Sequence, residues 1–98
     1  MDDVAVRRRS VPRIAPLYRF QWEAAQDAYV LLFPEGMVRL NASAAEILRR
    51  CDGTRSTTEI IADLEQRFQS DAVATDVEAF LQSATKDGWL EWRDPAAT

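Results

Sequence analysis

Residues 29–40 read Tyr29-Val30-Leu31-Leu32-Phe33-Pro34-Glu35-Gly36-Met37-Val38-Arg39-Leu40: an apolar run, a proline–glycine turn and a second apolar stretch. The run from Tyr29 to Phe33 is short and rich in β-favouring residues, which predicts a central strand covered on both faces. In the turn, Pro34 sets the entry and Gly36 is free to take positive φ. Met37 to Leu40 then returns as an edge strand. Upstream, Tyr18, Phe20 and Trp22 alternate with Arg19 and Gln21, the period-two signal of a half-buried strand. Glu23 to Asp27 joins the two strands as a short helical turn or a hairpin loop. Together these segments predict a three-stranded antiparallel meander.

Downstream the period changes to that of helices. Ala44, Ile47, Leu48 and Cys51 fall at i, i+3, i+4 and i+7, one apolar stripe. Asn41 caps this helix, or Ser43 with Glu46 forms its capping box. Gly53 suits a left-handed ending. Glu46 and Arg50 read as a solvent-facing i, i+4 pair. Ser56 and Glu59 form a second capping box, followed by the stripe Ile60, Ile61, Leu64 and Phe68. A third helix follows Ser70 and Asp71, with the stripe Val73, Val77, Phe80, Leu81 and Ala84, and Gly88 closes it. Trp89 to Trp92 predict a short final strand. The fold class is therefore α+β, winged helix-turn-helix-like, with the meander followed by three helices.

With 98 residues the chain holds one domain with one modest core. Residues 1–16 read as a flexible basic tail, punctuated by Pro12 and Pro16. Residues 17–92 form the folded domain and 93–98 a C-terminal tail. Up to residue 19, five arginines face Asp2 and Asp3, whereas the remainder carries seven basic and fourteen acidic groups. An acidic body is a poor match for nucleic acid. The sequence has no histidine and a single cysteine, so the common acid–base group and the usual Cys/His zinc site are both missing. No phosphate-binding loop or nucleophile elbow occurs. The expectation is a non-enzyme with no metal and no cofactor, located in the cytoplasm. No apolar run approaches the roughly 18 residues that cross a bilayer, so no membrane contact is expected. Cys51 fits a small buried hydrophobe.

Several stretches together resemble the PqqD family of pyrroloquinoline quinone (PQQ) biosynthesis. They are Gln21-Trp22-Glu23-Ala24-Ala25-Gln26, Phe33-Pro34-Glu35-Gly36-Met37, Leu40-Asn41 with Ala44-Ala45-Glu46-Ile47-Leu48, and Cys51-Asp52-Gly53. Asp76-Val77-Glu78-Ala79-Phe80-Leu81 and Gly88-Trp89-Leu90 complete the set, so the likeness runs from about Pro12 to Leu90. The resemblance implies a winged-helix-like precursor-peptide recognition element. Such proteins bind the ribosomal precursor PqqA and deliver it to PqqE, a radical S-adenosylmethionine (SAM) enzyme that holds the clusters and performs the chemistry.

A meander leaves unpaired backbone groups on its outer edge, and an extended peptide satisfies them by adding a strand. The expected peptide site is Met37, Val38, Arg39 and Leu40 on the edge strand, with Val77, Phe80, Leu81 and Ala84 of the third helix as the other wall. Arg39 points away from the core, towards an acidic side chain of the peptide. Replacing Val38 with proline is expected to remove one edge donor. The same residues also fit plain core packing, most of all Leu81. The free edge, or the terminal arms, equally suits a homodimer. The alternative function, a winged-helix DNA-binding regulator, needs a basic recognition helix, whereas residues 72–87 offer only Lys86 against Asp76, Glu78 and Asp87.

Overall fold

A computed structural model describes residues 8–94. In chain order these form β1 (Val11–Ile14), β2 (Arg19–Glu23), a 3-10 turn (Ala24–Gln26), β3 (Ala28–Phe33), β4 (Gly36–Arg39), α1 (Ala42–Arg49), α2 (Thr57–Phe68), α3 (Val73–Lys86) and β5 (Leu90–Arg93). The class is α+β, and the three-stranded antiparallel meander β2-β3-β4 followed by three helices is present. A second sheet, the antiparallel pair β1–β5, stands beside it.

Neighbouring residues in β3 point to opposite faces, yet Val30 and Leu31 are both fully buried. That explains why β3 lacks polar alternation. Leu31 joins the helical core with Leu48, Ile60 and Leu81. Val30 faces the other way, flanked across the sheet by Gln21 and Arg39, whose long side chains suit the cover of an apolar position. On the core side the rings of Phe20 and Tyr29 stack at 4.9 Å, and Trp22 meets Tyr29 edge-on at 5.2 Å. Gly36 differs from expectation. It opens β4 opposite Phe33, and the left-handed glycines are Gly53 (φ 86°) and Gly88 (φ 83°).

The helices follow their caps. Asn41 Oδ1 accepts the Ala44 N–H at 2.8 Å, which settles the start of α1. Both halves of the Ser56–Glu59 box are made, at 3.1 and 2.7 Å. Such caps stabilise a helix by about 1 kcal/mol each. The expected stripes are buried with two exceptions. Phe80 is half-buried, and Phe68, the last residue of α2, is 51% exposed. Gln69 follows it in the left-handed region (φ 52°) and ends the helix there.

The tail assigned to residues 1–16 is corrected in part, because Val11–Ile14 form β1 and Ser10 is buried. The signal was masked by Pro12. An extended residue presents its N–H and C=O to the same side. The Pro12 carbonyl accepts from Gly53 N–H (3.1 Å), so its missing donor lies on the side of the 51–57 segment, away from β5. That segment also takes a bond from Ile14 N–H at the Cys51 carbonyl and gives one from Thr57 N–H to the Ser10 carbonyl. Arg93, assigned to the C-terminal tail, pairs with Val11 in β5. Of the arginine cluster Arg7–Arg9, Arg7 lies outside the described residues, while Arg8 pairs with Glu78 of α3 at 2.6 Å and its carbonyl accepts from Thr58 N–H.

The Glu46–Arg50 pair is also not solvent-facing as expected. Their side chains are only 18% and 11% exposed, and the 2.8 Å bond between them belongs to a network. Arg50 also bonds Asp63 of α2, while Arg49 and Arg67 lie near Glu46 at 3.8 and 3.9 Å. The hydrogen bond from Arg50, opposed by desolvation and aided by the surrounding guanidinium charges, holds the Glu46 carboxyl below its ordinary 4.5. The folded chain therefore binds this proton less tightly than the unfolded one. The stability it contributes is complete above about pH 4.5 and is lost as pH falls through the lower folded value. Glu46→Gln is expected to unfold at lower urea than the parent at pH 7, and the gap between the two midpoints should shrink at pH 3.

Candidate functional site

The order β2-β3-β4 leaves one side of β4 unpaired within its sheet. Which of its backbone groups point there follows from one bond. Leu40 N–H donates to the Tyr29 carbonyl at 2.9 Å, in the same register that pairs Val38 with Leu31 and Gly36 with Phe33. Antiparallel pairs alternate between hydrogen-bonded and non-hydrogen-bonded positions. Gly36, Val38 and Leu40 therefore turn their backbone groups towards β3, while Met37 and Arg39 turn theirs outward. Val38 is thus not an edge donor. Proline there would break the β3–β4 ladder, which corrects the expectation for that substitution.

Side chains follow the same parity. Val38 is half-buried against the core and Leu40 is buried, both on the face shared with Leu31. Met37 (43% exposed) and Arg39 lie on the opposite face. Arg39 does point away from the core, as expected, and its Nη2 donates to the Gln26 carbonyl at 3.3 Å.

The direction of α3 relative to β4 is fixed at both ends. A Cβ on Gly88, just after α3, would stand 4.0 Å from the Tyr18 hydroxyl. The Tyr18 ring lies 5.4 Å from that of Phe33, which pairs with Gly36 at the start of β4. At the other end, Asp76 and Val77 of α3 share one groove with Ala42 and Ser43, just beyond β4. The two elements run in opposite directions, with the C-terminal part of α3 towards Gly36 and its N-terminal half towards Leu40.

Of the four α3 residues expected in the site, Val77, Leu81 and Ala84 are at most 2% exposed. They belong to the core and offer no surface in this conformation, because they form the central stripe of a helix pressed onto α2 and the sheet. Phe80 sits on the flank of that stripe, half-buried, 6.4 Å from the Trp89 ring. Asp76 and Ser83 share this flank at i−4 and i+3. Both are exposed, and neither was singled out as a site residue. The spacing about Phe80 was the available signal. The candidate site therefore comprises the outward backbone of Met37 and Arg39, with the half-buried Val38 and Phe80 packed on the same core.

The remaining chemistry is structural. Burial, with Asp52 nearby, pushes the Cys51 thiol up to about 12, and its Sγ donates to the Ile47 carbonyl. It is a core residue with little thiolate character. Among the described residues no group of three or more Cys, Asp or Glu side chains is placed to hold a metal ion. No described helix is long and apolar enough to cross a membrane.

Comparison with known proteins gives a consistent picture. The family model of coenzyme PQQ synthesis protein D (PqqD) matches residues 28–90, a span that includes β3, β4 and all of α3. A protein of Stutzerimonas stutzeri named "PqqA binding protein" is 44% identical over 89 residues, covering 90% of this chain and 97% of the relative. One of the same name from Azotobacter vinelandii is 50% identical over 82 residues, covering 83% and 89%. Among solved structures, the solution NMR structure of the PqqD truncation of Methylobacterium extorquens PqqCD is similar with a TM-score of 0.74 at 26% identity. The match covers 93% of this chain and 99% of that one. That protein is described as a functional, stand-alone recognition element for a ribosomally synthesised and post-translationally modified peptide.

Proposed function

This chain belongs to the PqqD family, and from that premise we propose that it binds the precursor peptide PqqA as an added strand on the free edge of β4. In this reading it presents PqqA to the radical SAM enzyme PqqE in the cytoplasm, for the biosynthesis of PQQ. The observation that carries the reading is the outward-facing backbone of Met37 and Arg39, beside a helix flank bearing Phe80. Backbone pairing supplies affinity without regard to sequence, and the pockets on either side select side chains. The reaction belongs to the partner enzyme, and this chain acts by binding alone.

The arrangement of three helices with the β1–β5 ribbon is read as winged-helix-like, but in a peptide-binding rather than a DNA-binding form. Lys86 is the one basic side chain on α3, which favours a peptide over a phosphate backbone. Two copies pairing through β4 would occupy the same edge, so self-association would compete with PqqA.

Amide hydrogen exchange tests the strand model at single-residue level. With saturating PqqA, the Met37 and Arg39 amides are expected to slow strongly. Val38 and Leu40, already bonded to β3, should change far less. Uniform protection along β4, or none, would rule out strand addition there.

A further inference from the structure

Beyond the end of β4 lies a groove of about 350 Å³ between the start of α1, the end of α2 and the start of α3. Its floor is apolar, with Ile47, Leu64 and Val73. On its rim stand the half-exposed ring of Phe68 and the exposed carboxylate of Asp76. The Phe68 ring carries the Arg67 guanidinium 5.6 Å from its centre. About half of the Phe68 surface is open beside this apolar floor, so an occupant of the groove would bury more of the ring.

We propose that this groove is an anchor subsite for one large apolar side chain of the peptide bound on β4, with a basic residue next to it facing Asp76. The inference rests on the strand-addition reading and names a determinant of selectivity within it. Two observations select this occupant. First, the groove continues the edge: Ala42 and Ser43 in its wall follow Arg39 by only a few residues. The Leu40 end of β4 therefore lies close to the groove, within reach of a few residues of an added strand at about 3.3 Å each. Second, Asp76 of the groove stands on the same flank of α3 as the half-buried Phe80 of the candidate site. Among the described residues no ion pair engages the Asp76 carboxylate, which leaves its charge available to a cation.

The test is titration of synthetic PqqA into the full chain by calorimetry, with two groove variants and one edge variant. Phe68→Ala removes part of the rim and Ser43→Trp fills the mouth; both positions are exposed, so folding is preserved. Each is expected to weaken PqqA about tenfold, the effect of losing one buried apolar side chain. Intermolecular NOEs from the Leu64 and Val73 methyls to a single apolar residue of PqqA should appear in the parent and vanish in Ser43→Trp. If both groove variants bind PqqA within twofold of the parent, the subsite is overturned. In that case loss of binding in Met37→Pro would leave the edge reading standing, and parent-like binding by all three would remove both. Should the groove variants change self-association in place of PqqA affinity, the occupant is a second copy and the proposal is likewise overturned.

Discussion

Met37→Pro is expected to weaken PqqA binding by roughly 5- to 150-fold while the melting temperature stays within a few degrees of the parent. Proline deletes the one N–H at that position, leaving a carbonyl of the bound peptide without its donor, a cost of about 1–3 kcal/mol. The fold is spared because this N–H points away from β3, as the bond from Leu40 to Tyr29 requires. Proline is tolerated on edge strands whose donor faces solvent. The residue before it is Gly36, which accepts the restriction that proline places on its predecessor. Met37→Leu keeps the donor and should bind like the parent. Val38→Pro is the contrasting case. It removes a bond inside the sheet and should lower stability before it informs on binding. Equal PqqA affinity in Met37→Pro and Met37→Leu, measured by calorimetry, would show that β4 does not pair with the peptide.

The second large effect is on stability. Leu81→Ala is expected to destabilise the chain by about 3–4 kcal/mol, since it removes a fully buried leucine from the middle of α3 and leaves a cavity. Domains of this kind hold only about 5–15 kcal/mol in total, so the urea midpoint should fall by a large fraction. Leu81 reaches no surface. PqqA affinity, corrected for the folded fraction, should therefore remain near that of the parent, whereas Phe80→Ala should lose affinity with a smaller stability change. The opposite pattern would place Leu81 in the binding surface and Phe80 in the core.

The helices and the meander were legible because their signals are local. Stripe, cap and turn each lie within a few residues, as with Ala44–Ile47–Leu48–Cys51 and the Ser56–Glu59 box. What escaped depended on partners far along the chain. Nothing near Val11 announces that it pairs with Arg93, and Pro12 argued against a strand until the side of its missing donor was known. The binding edge shows the same division. The sequence places Met37 to Leu40 on an outer strand, but which two of them face outward is set by the hydrogen bond between Leu40 and Tyr29. On α3, periodicity alone grouped Phe80 with Val77, Leu81 and Ala84. Only the packing of the helix separated the flank from the stripe.

The β1–β5 ribbon has a bearing on how the molecule is joined to others. Val11 and Arg93 are cross-strand neighbours, so the start of β1 and the end of β5 lie side by side. Cargo joined at Val11 or at Arg93 would hang from one corner, and a short bridge between those two strand ends would close residues 11–93 into a ring with little strain. A cut could then be opened in an exposed loop elsewhere, giving a permuted chain that keeps β4 and α3 intact.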